Sequence, residues 1–323
     1  MTPPTRVSVL LPVRNGLPHL RAALRSVLAQ SFTAIEVILI DDGSVDGSGR
    51  VGLDSGDARV RVIPGGGLGI AHALNLGLAA ATGEFIARQD ADDLSAPDRF
   101  ARLARYLDDH PEVAVVASQV DFIDDAGRPV HTPWTRAVAA QWDRARTPEE
   151  IGTLMPLTCC LVHGSVMARR SVLMARGGYD ERLPVAQDYD LWLRLLPEHR
   201  FAKLDECLYS FRIHSKQISA SHGSVQAEHA VTAKLRYLER VAPVPAAARV
   251  RIFGAGTGAD IYRRALAASR WALAGPRERW DVAVFTDFNR LDADMHDAAA
   301  HEARPLRRIA NFLVAGDSIG VVS

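Results

Sequence analysis

Three carboxylates lie within four residues in the first third of the chain, at Asp90, Asp92 and Asp93. They follow an apolar segment, 85–87, that has the character of a buried strand. Carboxylates this close repel one another, so at the end of a buried strand they need a counter-charge. Mg²⁺ or Mn²⁺ supplies one, because these cations prefer oxygen ligands and keep positions open for phosphate oxygens. The alternative is an acidic loop beside a helix cap, since residues 95–98 fit a capping box.

A second acidic pair, Asp41 and Asp42, follows another apolar segment. Residues 35–40 are almost wholly apolar, which is typical of a strand buried on both faces. A strand at 7–12 and a helix at 18–29 precede it, so the pattern predicts a parallel βαβ unit. In such sheets ligands bind at the carboxyl ends of the strands. We therefore expect both acidic clusters to line one crevice.

Further strands and helices alternate up to about residue 242. Apolar spacing predicts strands at 59–63, 113–117, 161–168 and 206–214, and helices at 70–81, 97–109, from 171, from 187 and at 225–241. Glycines between residues 65 and 69 either let backbone N–H groups approach phosphates or form a mobile turn. The segment 128–155 is predicted to be irregular, either as an insertion that shapes an acceptor cleft or as a surface loop with anchoring tryptophans.

Two aspartates, Asp188 and Asp190, lie in the first turn of the helix predicted from residue 187. An aspartate at the start of a helix is normally a cap. Because the two are two residues apart, they point to different faces of the helix. At most one of them is therefore expected to face the crevice.

After a proline-rich linker at 243–245 the strand and helix pattern restarts. A strand at 250–253, a glycine-containing loop at 254–259, a helix to about 272 and a strand at 282–285 are followed by Asp287. This order predicts a Rossmann-like βαβ segment, about half of a dinucleotide-binding fold. The last residues, 319–323, have the pattern of a further strand. The predicted domains are 1–242 and 243–323.

The composition excludes several classes of protein. The 323 residues are 48% hydrophobic and 24% charged, with 38 basic and 38 acidic residues and a pI near 7.2. This balance is typical of a globular protein and argues against a nucleic-acid binder. No apolar run has membrane-spanning length, and the N-terminus does not have the pattern of a signal peptide. Three cysteines without a CxxC pair favour a reduced, cytoplasmic protein.

Four segments carry a resemblance to a known family. They are VSVLLPVRNG at 7–16, DDGSVDGS at 41–48, GEFI at 83–86 running into DADD at 90–93, and QDYDLWLR at 187–194. In this order they resemble the family 2 glycosyltransferases, over roughly residues 6–220. The resemblance implies an α/β fold of the GT-A type, with a mostly parallel sheet flanked by helices. The small Rossmann-like βαβ segment is added at the C-terminus.

The resemblance also implies how the donor would be bound. Asp42 would hold the nucleotide base through its ring N–H, with Pro12 and Asn15 beside it. Asp90 would lie near the ribose and the pyrophosphate. Asp92, the second aspartate of the DxD-like motif, would bind the Mn²⁺ or Mg²⁺ that bridges the diphosphate, and this cation would neutralise the leaving group.

The remaining implied roles concern the acceptor and the diphosphate. Asp188 would be the general base that takes the proton of the acceptor hydroxyl, and a single in-line attack would invert the anomeric centre. His214 would contact the metal or the diphosphate. Further candidate contacts to the nucleotide sugar are Arg14, Gly69 and Asn75.

Three positions depart from the family pattern. Arg14 stands where an aromatic residue is common, and Gln187 replaces the usual glutamate. Leu74 precedes Asn75 where an arginine is common. These departures alter the expected contacts to the donor, but they leave the metal aspartate and the base in place.

Three functions are consistent with these residues. We favour an inverting, metal-dependent glycosyltransferase of the hexosyltransferase type that uses a nucleotide-diphosphate sugar, with UDP the first expectation. Its acceptor would be a saccharide or lipid-linked saccharide in surface-polysaccharide or glycolipid assembly, with peripheral association at the inner face of the membrane and no nucleic-acid partner. The second is an inactive relative that binds nucleotide sugars as a regulator or partner subunit. The third is a dinucleotide- or CoA-dependent enzyme that uses the loop at 254–259.

Overall fold

The structure is a computed structural model that describes residues 4–215, 217, 223–242, 244–253, 256–267, 269–275, 280–285, 306–309 and 312–315. The chain divides into two compact units, Met1–Ala220 and Ser221–Ser323.

The first unit is built on one eight-stranded sheet. Its strands are β1 (Val7–Val13), β2 (Ile35–Asp41), β3 (Val60–Pro64), β4 (Phe85–Arg88), β5 (Leu94–Ser95), β6 (Val113–Ile123), β7 (Met167–Arg169) and β8 (Arg200–Arg212), in the spatial order β3-β2-β1-β4-β7-β6-β8-β5. The four strands β3, β2, β1 and β4 run parallel, as do β6 and β8. Strand β7 runs antiparallel between β4 and β6, and β5 runs antiparallel to β8. The predicted α/β fold with a mostly parallel sheet is confirmed.

Eight α-helices flank this sheet in the described part of the first unit. They are α1 (Leu20–Leu28), α2 (Ser48–Asp54), α3 (Ile70–Ala80), α4 (Arg99–Asp109), α5 (Pro133–Trp142), α6 (Pro148–Leu154), α7 (Arg170–Ala175) and α8 (Gln187–Leu195). A short 3₁₀ helix, His163–Ser165, precedes β7.

Both faces of the central strands are covered, which explains why β1 and β2 are almost wholly apolar. Alternate residues of β1, such as Val9 and Leu11, pack in one core cluster with apolar residues of α1 and α4. The other face meets α3, where Gly77 allows close approach. A Cβ on Gly77 would lie 2.9 Å from Ile40 and 3.0 Å from Leu10. The apolar alternation of the strands therefore fixes which helix lies on which face.

Three sequence predictions about the elements of this unit are wrong. The strand predicted at 161–168 begins only at Met167, because His163–Ser165 form a 3₁₀ helix. The segment 128–155 is not irregular, because it contains α5 and α6, and each begins with a capping box and a proline in its first turn. The proposed cap at 95–98 also fails, since Asp98 makes no side-chain capping hydrogen bond. The hydroxyl of Ser95 instead donates to Gln89 Oε1 at 2.7 Å and accepts from Arg99 at 2.8 Å.

The second unit contains its own sheet and core. Its elements are α9 (Gly223–Val241), β9 (Arg249–Phe253), α10 (Gly256–Ala267), β10 (Ala272–Leu273), β11 (Val282–Phe285), β12 (Leu306–Ile309) and β13 (Phe312–Ala315), with strand order β10-β9-β11-β13-β12. Strands β10, β9 and β11 run parallel, whereas β13 runs antiparallel to its neighbours. The predicted strand, helix and strand at 250–285 are therefore present. Whether they form a working Rossmann-like ligand site stays a prediction.

Several predictions about the second unit lie outside the described residues. They concern Gly254 and Ala255 of the glycine loop, Asp287, and the strand at 319–323. The predicted domain boundary at residue 242 lies after α9, whereas the compact units separate before it. Residues of α9, such as Leu235 and Leu238, pack with β9, α10 and β11. The division into functional domains stays a prediction.

None of the helices in the described ranges is both long enough and apolar enough to span a bilayer.

Candidate active site

The two acidic segments lie beside each other at one edge of the first sheet. Strand β1 is paired in parallel with β2 on one side and with β4 on the other, so all three strands end at the same edge. Beyond β1, a Cβ on Gly16 would lie 3.4 Å from the Cβ of Ala91, which belongs to the second acidic segment. The two acidic segments therefore lie at one edge of the sheet, as the strand pattern predicts, and a shared binding crevice there stays a prediction.

Asp42 offers an unused hydrogen-bond acceptor in a buried position. Its side chain is only 4% exposed, and Oδ2 accepts a hydrogen bond from the backbone N–H of Gly69 at 3.0 Å. Its Oδ1 atom is buried and has no hydrogen-bond partner among the residues that the structure describes. A buried oxygen without a partner is costly, so this geometry suits a ligand that donates an N–H. Glycine is needed at residue 65, where a Cβ would lie 3.0 Å from the Cα of Asp42.

The other residues predicted to lie around the nucleotide base have different surroundings. Pro12 is buried within β1, and Arg14 is exposed. Asn15 has a positive φ of 55°, and its side-chain oxygen accepts from the backbone N–H of Val45 at 2.9 Å. Its backbone N–H donates to the hydroxyl of Ser44 at 2.9 Å. Asn15 therefore joins the loops after β1 and β2, and its predicted contact to a nucleotide stays a prediction.

The three carboxylates of the acidic cluster face three different partners. Asp90 accepts a hydrogen bond from Arg88 at 2.6 Å, and Asp93 accepts from the backbone N–H of Arg212 at 2.7 Å. Asp92 is bonded to a histidine, described below. Arg88, which is only 2% exposed, thus supplies Asp90 with a counter-charge from within the chain. The divalent cation expected at this cluster stays a prediction.

Burial governs the protonation of this cluster. Burial raises the pKa of Asp90, an effect that Arg88 opposes and the charge of Asp92 reinforces. Burial and the charges of Asp92 and Asp90 raise the pKa of Asp93 well above its ordinary value. The surroundings therefore oppose the charged form of Asp93 more strongly than that of Asp90.

Asp92 and His214 form a pair that fits a divalent cation. Asp92 Oδ2 lies 2.8 Å from His214 Nε2. Two adjacent ligands of an octahedral ion with bonds of about 2.1 Å lie about 3 Å apart, so little movement is needed for both to bind one Mg²⁺ or Mn²⁺. Within the described ranges, no group of three His, Cys, Asp or Glu side chains converges on a metal position. The donor set is therefore one in which substrate phosphates would supply the remaining ligands.

His19, which the sequence did not single out, packs against this pair. Its ring lies 5.4 Å from that of His214, and its Nε2 lies 3.3 Å from Asp125 Oδ1. Burial, together with the positive charges of Arg212 and His214, lowers the pKa of His19. A neutral His19 can pack beside Asp92 and His214 without adding charge there.

Asp188 is held at the start of α8 by an unusual backbone conformation. Ala186, the residue before the helix, has a φ of 59°. A non-glycine residue in this left-handed region costs about 1–3 kcal/mol and tends to occur at functional sites. Burial raises the pKa of Asp188, opposed by backbone N–H groups, and the charge of Asp90 raises it further. Asp190, in contrast, is bonded to Arg194 at 2.7 Å.

The side chain of Asn75 is engaged within the protein. It bonds the backbone of Tyr179 in both directions, with its oxygen at 2.8 Å from the N–H and its nitrogen at 2.9 Å from the carbonyl oxygen. The nitrogen also donates to Glu181 at 2.8 Å. Asn75 therefore fixes the turn that precedes α8, and its predicted contact to the donor stays a prediction.

Tyr209 and Gly164 position Asp90, and the sequence analysis identified neither. The hydroxyl of Tyr209 accepts from the backbone N–H of Asp90 at 3.1 Å. A Cβ on Gly164 would lie 2.1 Å from the Tyr209 oxygen and 2.6 Å from Asp90 Oδ2. Gly164 lies far from the acidic cluster in sequence, so only the fold reveals this close approach. Arg88 lies only two residues before Asp90, so its role in positioning Asp90 could have been inferred from the sequence.

We expect Gly164→Ala to lower the free energy of unfolding by about 1–3 kcal/mol, because the added methyl group overpacks the site and forces Tyr209 or Asp90 to move. Chemical denaturation would measure the change. Gly152→Ala is the matched control, since no atom lies within 4 Å of a Cβ at that helical position. Equal stability of the two variants would contradict the packing described here.

Comparison with known proteins shows which family the chain belongs to. Residues 8–177, just over half of the chain, match the family described as glycosyl transferase family 2. An uncharacterized glycosyltransferase of Rickettsia typhi is 30% identical over 215 residues, which cover 65% of each chain. The match thus spans slightly less than two thirds of that protein. The putative glycosyltransferase EpsE of Bacillus subtilis is 32% identical over 214 residues, 64% of this chain and 73% of EpsE.

One further relative and two solved structures are informative. The amylovoran biosynthesis glycosyltransferase AmsE of Erwinia amylovora is 28% identical over 211 residues, 64% of this chain and 74% of AmsE. Staphylococcus aureus TarS in complex with UDP-GlcNAc has a TM-score of 0.56 at 19% identity, over 73% of this chain and 72% of that one. The mannosyltransferase PcManGT of Pyrobaculum calidifontis, in complex with GDP-Man and Mn²⁺, has a TM-score of 0.56 at 22% identity, over 76% and 67%. The two structures share the fold, and the match at 8–177 shows that the chain belongs to glycosyl transferase family 2.

Proposed function

We propose that the chain is an inverting, metal-dependent glycosyltransferase that moves a sugar from a nucleotide-diphosphate sugar to an acceptor hydroxyl. The observation that carries this proposal is the convergence of differently held carboxylates at one sheet edge. Asp42 has a free buried oxygen, Asp92 is paired with His214, and Asp188 lies near the charge of Asp90. Each can therefore do a separate task on one substrate.

Donor binding is assigned to Asp42, Asp92 and His214. The free Oδ1 of Asp42 would accept the ring N–H of the nucleotide base. Asp92 and His214 would hold Mn²⁺ or Mg²⁺, which neutralises the charge that develops on the departing diphosphate. Asp90 would lie beside the ribose and the pyrophosphate, where Arg88 keeps its orientation fixed.

Asp188 would act on the acceptor. In the anionic form its carboxylate takes the proton of the acceptor hydroxyl as the oxygen attacks the anomeric carbon. The raised pKa makes Asp188 a stronger base than an ordinary aspartate. Attack opposite to the leaving diphosphate inverts the configuration of the sugar.

The named relatives support a narrower form of this proposal. AmsE is named for amylovoran biosynthesis, and the two solved structures hold UDP-GlcNAc and GDP-Man with Mn²⁺. We infer a role in surface-polysaccharide or glycolipid assembly, with a saccharide or lipid-linked saccharide as acceptor. A uridine nucleotide is the first donor to test, and a guanosine nucleotide is the second.

Calorimetric titration with UDP, GDP, dTDP and CDP, each with and without Mn²⁺, tests the proposal. We expect one of these nucleotides to bind, with an affinity that Mn²⁺ increases, because two protein ligands alone leave most coordination positions to the diphosphate. Absence of binding under every condition would overturn the proposal. Binding without transfer from any nucleotide sugar would instead favour the inactive relative.

We expect the kcat of sugar transfer to rise with pH through a pKa above the ordinary aspartate value of 3.8 and then to level off. The rate should rise with pH because only the ionised form of Asp188 can accept a proton. Burial raises the pKa of Asp188, so its protonated form persists to higher pH. Steady-state rates at saturating donor and Mn²⁺, from acidic to neutral pH, would measure the profile. A kcat that decreases as the pH rises through this range would contradict the assignment of Asp188 as base.

A further inference from the structure

The side chain of Gln89 is fully buried beside the acidic cluster, and none of the roles described above uses it. Gln89 follows Arg88, the last residue of β4, and its backbone N–H donates to the carbonyl oxygen of Leu10 in β1 at 3.1 Å. Burial of an amide costs free energy unless its polar atoms are hydrogen-bonded. The partners of this amide therefore indicate what it does at the sheet edge.

The amide nitrogen of Gln89 joins the two ends of the turn that carries the carboxylates. Nε2 donates to the carbonyl oxygens of Asp90 and Asp93, at 3.0 Å in each case. The backbone hydrogen bond across the same turn, from the N–H of Asp93 to the carbonyl oxygen of Asp90, is long at 3.4 Å. The side chain of Gln89 thus closes this turn more firmly than the backbone does. Asp92, the proposed cation ligand, lies between the two bridged residues in the sequence.

Two donors hold the amide oxygen of Gln89. Oε1 accepts from the hydroxyl of Ser95 at 2.7 Å and from Nη1 of Arg99 at 3.1 Å. A guanidinium can only donate and a carbonyl group can only accept, so one orientation of the amide satisfies all these partners. Both N–H groups and both lone pairs of the amide are then used. Gln89 has no hydrogen-bonding position left for a substrate, so it can act only by holding its neighbours.

Arg99 connects this network to the residues around Asp90. Its guanidinium is fully buried, and Nη2 donates to the carbonyl oxygens of Arg88 at 2.7 Å and Gly164 at 2.6 Å. The guanidinium also lies over the ring of Tyr209, 4.7 Å from the ring centroid. Tyr209 and Gly164 are the residues that pack against Asp90. One buried network thus holds both the backbone of the turn and the packing around its first aspartate.

We propose that Gln89 is a positioning residue for the cation site, an inference that rests on the proposed function. Its two hydrogen bonds fix the carbonyl groups of Asp90 and Asp93 relative to each other, and this fixes the direction in which Asp92 leaves the turn. Asp92 Oδ2 lies 2.8 Å from His214 Nε2, a separation from which both can bind one ion with little movement. Without the bridge the turn can open, and Asp92 loses its place beside His214.

Gln89→Met tests this role, because methionine is an adaptable side chain of similar length that cannot donate to the two carbonyl groups. We expect the Kd of Mn²⁺, measured by EPR of the free ion at saturating nucleotide, to rise by about 10–100-fold, the range that groups orienting metal ligands contribute. The Kd of the nucleotide without Mn²⁺ should not change, because Asp42 is held by Gly69. An unchanged Kd of Mn²⁺ in this variant would overturn the positioning role.

Gln30→Met is the matched control. Gln30 is also buried, and its amide bonds the carbonyl oxygens of Ser26 and Ala96 and the backbone N–H of Phe100. None of these partners belongs to the acidic turn. Gln30→Met should therefore lower stability, as Gln89→Met does, but leave the Kd of Mn²⁺ unchanged. Equal increases in the Kd of Mn²⁺ would mean that Gln89 only stabilises the fold, and its positioning role would be overturned.

Hydrogen exchange of the protein without ligands, measured by NMR, provides a readout that does not depend on nucleotide binding. The backbone N–H groups of Asp90 and Arg212 report on the turn, since they donate to the hydroxyl of Tyr209 and to Asp93 Oδ1. We expect Gln89→Met to accelerate exchange at these two amides more than at the amides of β2, which report on the stability of the sheet. Equal acceleration at both places would contradict the proposal.

Ser95→Ala is a milder second variant that keeps the test decisive if Gln89→Met does not fold. It removes one donor to the amide oxygen of Gln89, so it should raise the Kd of Mn²⁺ and accelerate exchange in the turn to a smaller extent. Nucleotide titration of the unaltered chain keeps the two proposals apart. Absence of nucleotide binding, together with faster exchange in the turn of either variant, would contradict the proposed function and leave Gln89 as the residue that holds the turn. Nucleotide binding with an unchanged Kd of Mn²⁺ in both variants would overturn the positioning role alone.

Discussion

Replacement of Asp188 by asparagine is expected to lower the kcat of sugar transfer by about 10²–10⁴-fold, the range that a positioned general base contributes. The asparagine side chain has nearly the same shape, so α8 and the left-handed Ala186 should be undisturbed. It cannot accept the acceptor proton, however. Nucleotide binding should be retained, because Asp188 contacts neither the base site at Asp42 nor the pair of Asp92 and His214.

Release of nucleoside diphosphate during transfer would measure kcat, and calorimetry would measure nucleotide affinity. Asp190→Asn is an informative comparison in the same helical turn. That change breaks the buried pair with Arg194, so its main effect should be a loss of stability of about 3 kcal/mol or more. The role assigned to Asp188 would be wrong if Asp188→Asn kept kcat within tenfold of the unaltered chain.

Replacement of Asp92 by alanine is expected to abolish the increase in nucleotide affinity that Mn²⁺ gives and to lower transfer by about 10³-fold. A bound cation stabilises the departing diphosphate by several kcal/mol, and each 1.36 kcal/mol corresponds to a factor of ten in rate. The fold should survive, because Asp92 is partly exposed and its bonded partner, His214, is also a candidate ligand. Titration of nucleotide with and without Mn²⁺ gives the direct measure.

Asp93→Asn is the matched control for this change. Asp93 is buried and accepts a hydrogen bond from the backbone N–H of Arg212, and an amide oxygen can accept the same bond. This variant should therefore keep the effect of Mn²⁺ on nucleotide affinity. If Asp92→Ala also kept the effect of Mn²⁺ on nucleotide affinity, the metal would have to bind at other residues.

The strand ends of the first unit could be predicted from sequence because strands buried on both faces appear as continuous apolar segments. The apolar segments 7–12, 35–40 and 85–87 each form a strand. The acidic residues that follow the second and the third segment lie at one sheet edge. The direction of each side chain could not be predicted in the same way. Asp90, Asp92 and Asp93 look alike in sequence, yet their partners come from β4 and from residues around 212–214.

Long-range contacts account for most of what the sequence analysis missed. Asn75 bonds the backbone of Tyr179, and Gly164 lies against Tyr209 and Asp90. No local sequence pattern predicts such contacts, because they depend on how distant segments pack. The helices α5 and α6 are a different kind of error. Pro133 and Pro148 suggest an irregular segment, but each lies in the first turn of a helix, where proline is favoured.

The internal counter-charges of the acidic cluster bear on product release. Arg88 holds Asp90, and the backbone of Arg212 holds Asp93, whether or not an ion is near. Asp92 is the carboxylate proposed to bind a cation, and its partner in the structure is His214 Nε2 at 2.8 Å. Under the proposed function, the spent nucleoside diphosphate and its cation would leave together, while the hydrogen bonds to Asp90 and Asp93 would keep these two carboxylates in place for the next donor.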